Sequence, residues 1–135
     1  MLEVHLSYPI DLSVRVSVVD DGRVAYAYFV RDEKILGWVW LYNRGPYEQG
    51  REPPFRGAPP RNAPEFIDEG PFELPSDEDQ FDACWLVREG RLEAALYIRR
   101  KLHAVVGEGD KPGWSVLART DGSLAQVLVI PQKTV

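Results

Sequence analysis

The chain is predicted to be a mainly β (or α+β) protein: a single antiparallel sheet of meanders and hairpins, interrupted by a long proline-rich loop. Three observations predict it. Leu12, Val14, Val16 and Val18 alternate with Ser13, Arg15 and Ser17, the period of two that half-buries a strand. Asp21-Gly22 and Glu89-Gly90 sit between such runs, where tight hairpin turns need left-handed backbone. Eight prolines and four glycines fall among the 31 residues 45–75, where no long helix or strand can run.

Taken in order, the first strand ends at Asp20, a second covers about 23–31, and Asp32-Glu33 turns the chain into a third over about 34–42. With two-residue loops at both turns, Val18 faces Ala25, Val16 faces Ala27, Ala27 faces Trp38, Ala25 faces Trp40, and Tyr28 lies opposite Gly37. One face then reads Val14, Val16, Val18, Ala25, Ala27, Phe29, Leu36, Trp38, Trp40, large side chains beside small ones. Asp-Glu is a poor pair for a two-residue turn, and a three-residue loop there would shift this register.

Residues 45–80 form a Pro/Gly-rich and then acidic connection, whose Phe55, Phe66, Ile67, Phe72 and Leu74 suggest a loop that packs on the sheet. A second hairpin begins near Phe81. Phe81, Ala83, Trp85 and Val87 run out, Glu89-Gly90 turns, and Leu92, Ala94, Leu96 and Ile98 return, with Trp85 facing Ala94. A helix over 91–103 is the rival reading, since Glu93-Ala94-Ala95-Leu96 are good helix formers. The matched facing partners favour strand. The tail from Trp114 reads as a last hairpin turning at Asp121-Gly122 or as two short C-terminal helices. All of this is expected to form one domain, 1–135, with Val16, Val18, Trp38, Trp40, Trp85, Leu96 and Ile98 in its core.

Composition narrows the function. The 135 residues, 44% apolar and 27% charged, suit a globular domain that buries a core without a staple. Acids outnumber bases by 21 to 16, so the chain is not expected to grip nucleic acid. One cysteine and two separated histidines give no internal disulfide and no usual zinc set; neither a metal nor a cofactor is expected. The start has no basic segment leading into an apolar run, and no apolar stretch approaches the roughly 18 residues of a spanning helix. The expectation is a cytoplasmic protein without membrane contact.

Charge is uneven along the chain. Residues 1–61 carry eight acids and eight bases, residues 62–87 eight acids and no base, residues 88–135 five acids and eight bases. The strip from Glu65 to Asp82 interleaves carboxylates with Phe66, Phe72, Leu74 and Phe81. Such a strip is either a solvated loop or a surface that steers a basic partner by charge and anchors it by aromatic rings. The candidate partner-binding residues are Phe66, Asp68, Glu69, Phe72, Asp77, Glu78 and Asp79.

Catalytic motifs are absent: there is no Walker loop, Gly-x-Ser-x-Gly, His-Glu-x-x-His or Rossmann fingerprint. Cys84 lies mid-strand among apolar neighbours and reads as a small packing residue. His5 reads as structural. His103 follows Arg99, Arg100 and Lys101, so Arg99, Arg100 and His103 form an alternative site, the polar groups of a pocket between the aromatic sheet and the long loop. Val39-Trp40-Leu41-Tyr42-Asn43-Arg44 and Lys111-Pro112-Gly113-Trp114-Ser115 resemble segments of small bacterial proteins of unknown function. That resemblance implies a stand-alone bacterial domain and no mechanism.

Two functions follow as expectations. The first is a non-catalytic protein-binding domain, an immunity or inhibitor protein that neutralises a basic partner enzyme such as a toxin or nuclease. The alternative is a small-ligand-binding protein or enzyme using the pocket. A homodimer is compatible with either.

Overall fold

The computed structural model describes residues 1–45, 57–68 and 70–129. Four strands, β1 (Leu2–Ser7), β2 (Val14–Asp20), β3 (Val24–Arg31) and β4 (Lys34–Asn43), form an antiparallel meander in the order β1-β2-β3-β4. Local chemistry shapes its turns. After β2, the Asp21 carboxylate accepts the Arg23 and Val24 amides while Gly22 takes φ +90°. Asp32 and Glu33 both adopt left-handed φ, 51° and 64°, and close a two-residue turn between Arg31 and Lys34.

The strand pairing differs from the expected one. Val18 pairs with Ala27 and Val16 with Phe29, because the β2–β3 turn is longer than two residues. On β4, Leu36 and Leu41 are extra residues with no partner on β3, and each bulge inverts the side-chain alternation. Ala27 therefore meets Val39, Phe29 meets Gly37, and Trp38 and Trp40 pair with Tyr28 and Tyr26 on the opposite face from Val16 and Val18. That opposite face is also covered. Tyr26 donates its hydroxyl to the Pro60 carbonyl, and Asn43 exchanges hydrogen bonds with the Asn62 backbone. Residues 46–56 of the expected loop lie outside the described residues.

The single sheet is corrected to two. The chain from Phe81 builds a separate five-stranded sheet, β5 (Phe81–Arg88), β6 (Arg91–Ile98), β7 (Lys101–Gly107), β8 (Trp114–Ser115) and β9 (Gln126–Val127), in sequence order. Only its last pair is parallel. Residues 91–98 are strand, Trp85 faces Ala94, and Glu89-Gly90 turns with both residues left-handed. The tail holds short strands and no helix among the described residues; the 3₁₀ turns at Pro64–Phe66 and Glu78–Gln80 are the helical elements there.

The two sheets stack because each has an apolar face that must leave water. Val16, Val18, Ala27, Phe29, Leu96, Ile98 and Val106 are buried in the shared core, and Phe29 meets Trp85 edge-on at 6.3 Å. Trp85 and Trp38, expected in the core, are half-buried at its margin. The free edge of β4 is capped by the chain beyond β7. Trp38 N–H donates to Asp110, Gly109 N–H to Leu36, Gly113 N–H to Trp38 and Trp40 N–H to Leu124. At this seam a Cβ on Gly37 would sit 2.3 Å from the Gly107 carbonyl oxygen, so only glycine fits.

Candidate functional site

Residues of three segments meet around a half-open cavity of about 750 Å³. One wall, from the end of β6 and the start of β7, is Ile98, Arg99, Lys101, Leu102 and His103; another is Val116-Leu117; the roof is Asp68 with Gly70, Pro71, Phe72 and Glu73. Most of the lining is apolar: Pro71, Phe72, Ile98, Leu102, Val116 and Leu117. Its size lies within the roughly 300–1,000 Å³ of small-molecule sites.

Local irregularities place the polar wall. Arg99 and Arg100 form the two-residue β6–β7 turn with φ 51° and 66°. Just beyond it, β7 bulges at His103, which has no partner on β6. The bulge turns the imidazole towards β4, where its Nε2 lies 2.7 Å from the carbonyl of Leu41, itself a bulge residue. A carbonyl can only accept, so Nε2 carries the proton. His103 is 2% exposed. Burial pushes its pKa down to about 4 against the opposing pull of the Leu41 bond, so the ring is neutral near pH 7. It offers the cavity a polar but uncharged surface.

Phe72 stacks at a tilt on this ring, 4.9 Å away, and lies 5.6 Å from Tyr42. Behind Tyr42 is a buried charge. Its hydroxyl donates to Asp20 at 2.7 Å, Arg44 Nε donates to the same oxygen at 2.9 Å, and the Gly22 amide serves the other. Burial works against the charged form of Asp20, yet the bonds from Arg44, Tyr42 and Gly22 hold its pKa below the ordinary carboxylate value. The Tyr42 hydroxyl is pushed up by burial and by donating to that carboxylate.

Two arginines strap the far end of the roof. Arg44 Nη2 donates to the Pro75 carbonyl and Arg99 Nη2 to the Leu74 carbonyl. Arg99 also reaches Glu73 at 3.6 Å. The near end is held by backbone: Asp68 N–H donates to Leu117, Arg119 N–H to Phe66, and Ile67 bridges Ala118.

The sequence candidates are dispersed differently from the expectation. Of the alternative set, Arg99 and His103 line the cavity; Arg100 is exposed and does not. Of the partner-binding set, Asp68 and Phe72 belong to the cavity roof, and Phe66 packs against the Gly122 backbone. Asp77, Glu78 and Asp79 stand exposed around the Glu78–Gln80 turn, whose Gln80 side chain accepts the Ser76 and Asp77 amides. Glu69 lies outside the described residues. Cys84 is exposed on the outer side of β5, contrary to its reading as a packing residue. His5 contacts Ser17 and Glu3.

Sequence reasoning missed Ile98, Lys101, Leu102, Val116 and Leu117. The flanks of the Arg99-Arg100 turn carried a signal for three of them, since residues bracketing a tight turn share one end of a sheet. No cluster of three metal-ligating side chains occurs among the described residues, nor a helix long and apolar enough to cross a membrane. No protein-family model, curated protein or solved structure matches the chain.

Proposed function

We propose that the chain is a small-ligand-binding protein that takes an organic molecule with an apolar body into the cavity roofed by Asp68 and residues 70–73. One observation carries this reading: a cavity of about 750 Å³ with largely apolar walls, and with Asp68, Glu73, Arg99, Lys101 and His103 as its polar side chains among the described residues. Apolar walls supply affinity and a small number of placed polar groups supply orientation. The test uses an uncharged fluorescent probe, N-phenyl-1-naphthylamine, whose emission rises in apolar surroundings. Wild type should enhance it saturably, and Leu102→Trp, which fills the cavity from a half-buried position, should abolish the enhancement while the melting temperature stays near wild type. A wild type that leaves the probe dark overturns the reading.

A second reading rests on the exposed carboxylates of Asp77, Glu78 and Asp79, which make no ion pair among the described residues. They suit an immunity or inhibitor protein that steers a basic partner enzyme. Phe66 and Phe72 are half-buried within the chain's own packing, so the aromatic anchors of that reading would have to come from elsewhere.

A further inference from the structure

We infer that the cavity's ligand is a zwitterion with an apolar body of about dipeptide size, its ammonium held by Asp68 and its carboxylate by Lys101. The inference deepens the ligand-binding reading and rests on it. Among the described residues, four charged side chains line the cavity: Asp68, Glu73, Arg99 and Lys101. Glu73 and Arg99 are engaged with each other, and Arg99 also spends a donor on the Leu74 carbonyl that straps the roof. Asp68 and Lys101 make no ion pair among the described residues. Asp68 uses one carboxylate oxygen on the Gly70 amide, and the other accepts no hydrogen bond there. Among the described residues one unpaired charge of each sign therefore lines the cavity: Asp68 in the roof and Lys101 at the start of β7.

The remaining described residues of the lining have no charge to offer. Phe72, Ile98, Leu102, Val116 and Leu117 are apolar, and His103 has committed its Nε2 proton to Leu41. A ligand with only a carboxylate would satisfy Lys101 but face Asp68 as a like charge; a ligand with only an ammonium would meet the reverse. A molecule carrying both satisfies both, and a cavity of about 750 Å³ holds an apolar body of dipeptide size.

The experiment displaces bound N-phenyl-1-naphthylamine with L-leucyl-L-phenylalanine, its N-acetyl form and its C-terminal amide. The free dipeptide should displace the probe, and each capped form should do so about fivefold less well, the scale of one solvent-exposed ion pair. In Asp68→Asn the free and N-acetylated forms should become equivalent; in Lys101→Met the free and amidated forms should. This crossed pattern is what separates recognition of two poles from a general loss of affinity. Capped forms that compete as well as the free dipeptide overturn the inference, as does a free dipeptide that fails to displace a bound probe; in both cases the cavity reading stands. A probe that never binds removes the cavity reading and this inference together.

Discussion

At His103 a single side chain links the two sheets. The imidazole is the bulged residue of β7 and donates to the bulged residue of β4. Its pKa is held near 4 in the folded protein against about 6.5 when exposed. The unfolded chain therefore binds the proton first as pH falls. This contribution to stability is fully present above about pH 6.5 and is lost progressively down to about pH 4, a loss on the order of 3 kcal/mol. Urea midpoints measured across that range should decline for wild type. In His103→Gln, which keeps an N–H for Leu41 but cannot titrate, the decline should be visibly shallower; equal slopes would show that His103 is not the titrating group. Asp20 makes a second residue-scale test. Tyr42→Phe removes one of its three donors and should cost about 1 kcal/mol. Asp20→Ala strands Tyr42 and Arg44 and should cost roughly 3 kcal/mol by denaturant unfolding, moderated because Arg44 retains some solvent. Gly37→Ala drives a methyl into the Gly107 carbonyl and should cost about 2–3 kcal/mol.

The elements behave according to what ties them. The cavity roof is held at one end by the backbone bond from Asp68 to Leu117 and at the other by two arginine side chains on the carbonyls of Leu74 and Pro75. Arg99→Met removes one strap and the Glu73 contact without touching the core. Amide exchange of Phe72 to Leu74 should quicken severalfold, with a melting temperature within a degree or two of wild type. The Glu78–Gln80 turn is different: its carboxylates are solvated and its geometry comes from Gln80. Replacing Asp77, Glu78 and Asp79 together by Asn, Gln and Asn should leave stability within about 0.5 kcal/mol. Against a basic protein partner the same variant should associate about tenfold more slowly at low salt, the difference vanishing at high salt. An unchanged rate at low salt removes the steering role.

For the whole molecule, two stacked sheets predict far-UV circular dichroism dominated by β structure, with a negligible helical component. The strand periods, the hairpin at Glu89-Gly90 and the Trp85–Ala94 pairing were legible along the chain, because alternation and turn chemistry are written in neighbouring residues. The cavity was legible only in outline. Arg99 and His103 could be set in a pocket beside the long loop, but the tight turn at Arg99-Arg100 was not read, and Val116 and Leu117 come from a segment with no pattern of its own. The bulges at Leu36, Leu41 and His103 left no mark in composition, yet they send Trp38 and Trp40 to the far face and aim the imidazole at β4.

Local propensity and binary pattern thus determined five of the nine strands among the described residues, β2 to β6, where two of the tight turns fall and which side chains are too apolar to stay in water. Whether those strands share one sheet or stack as two was decided by tertiary structure. A connection of 37 residues between β4 and β5 imposes no geometry, and the chain buries more apolar surface by laying the second hairpin across the first meander than by extending its edge. The same choice hands the β4 edge to the loop after β7, and it opens the cavity where the roof crosses the β6–β7 turn.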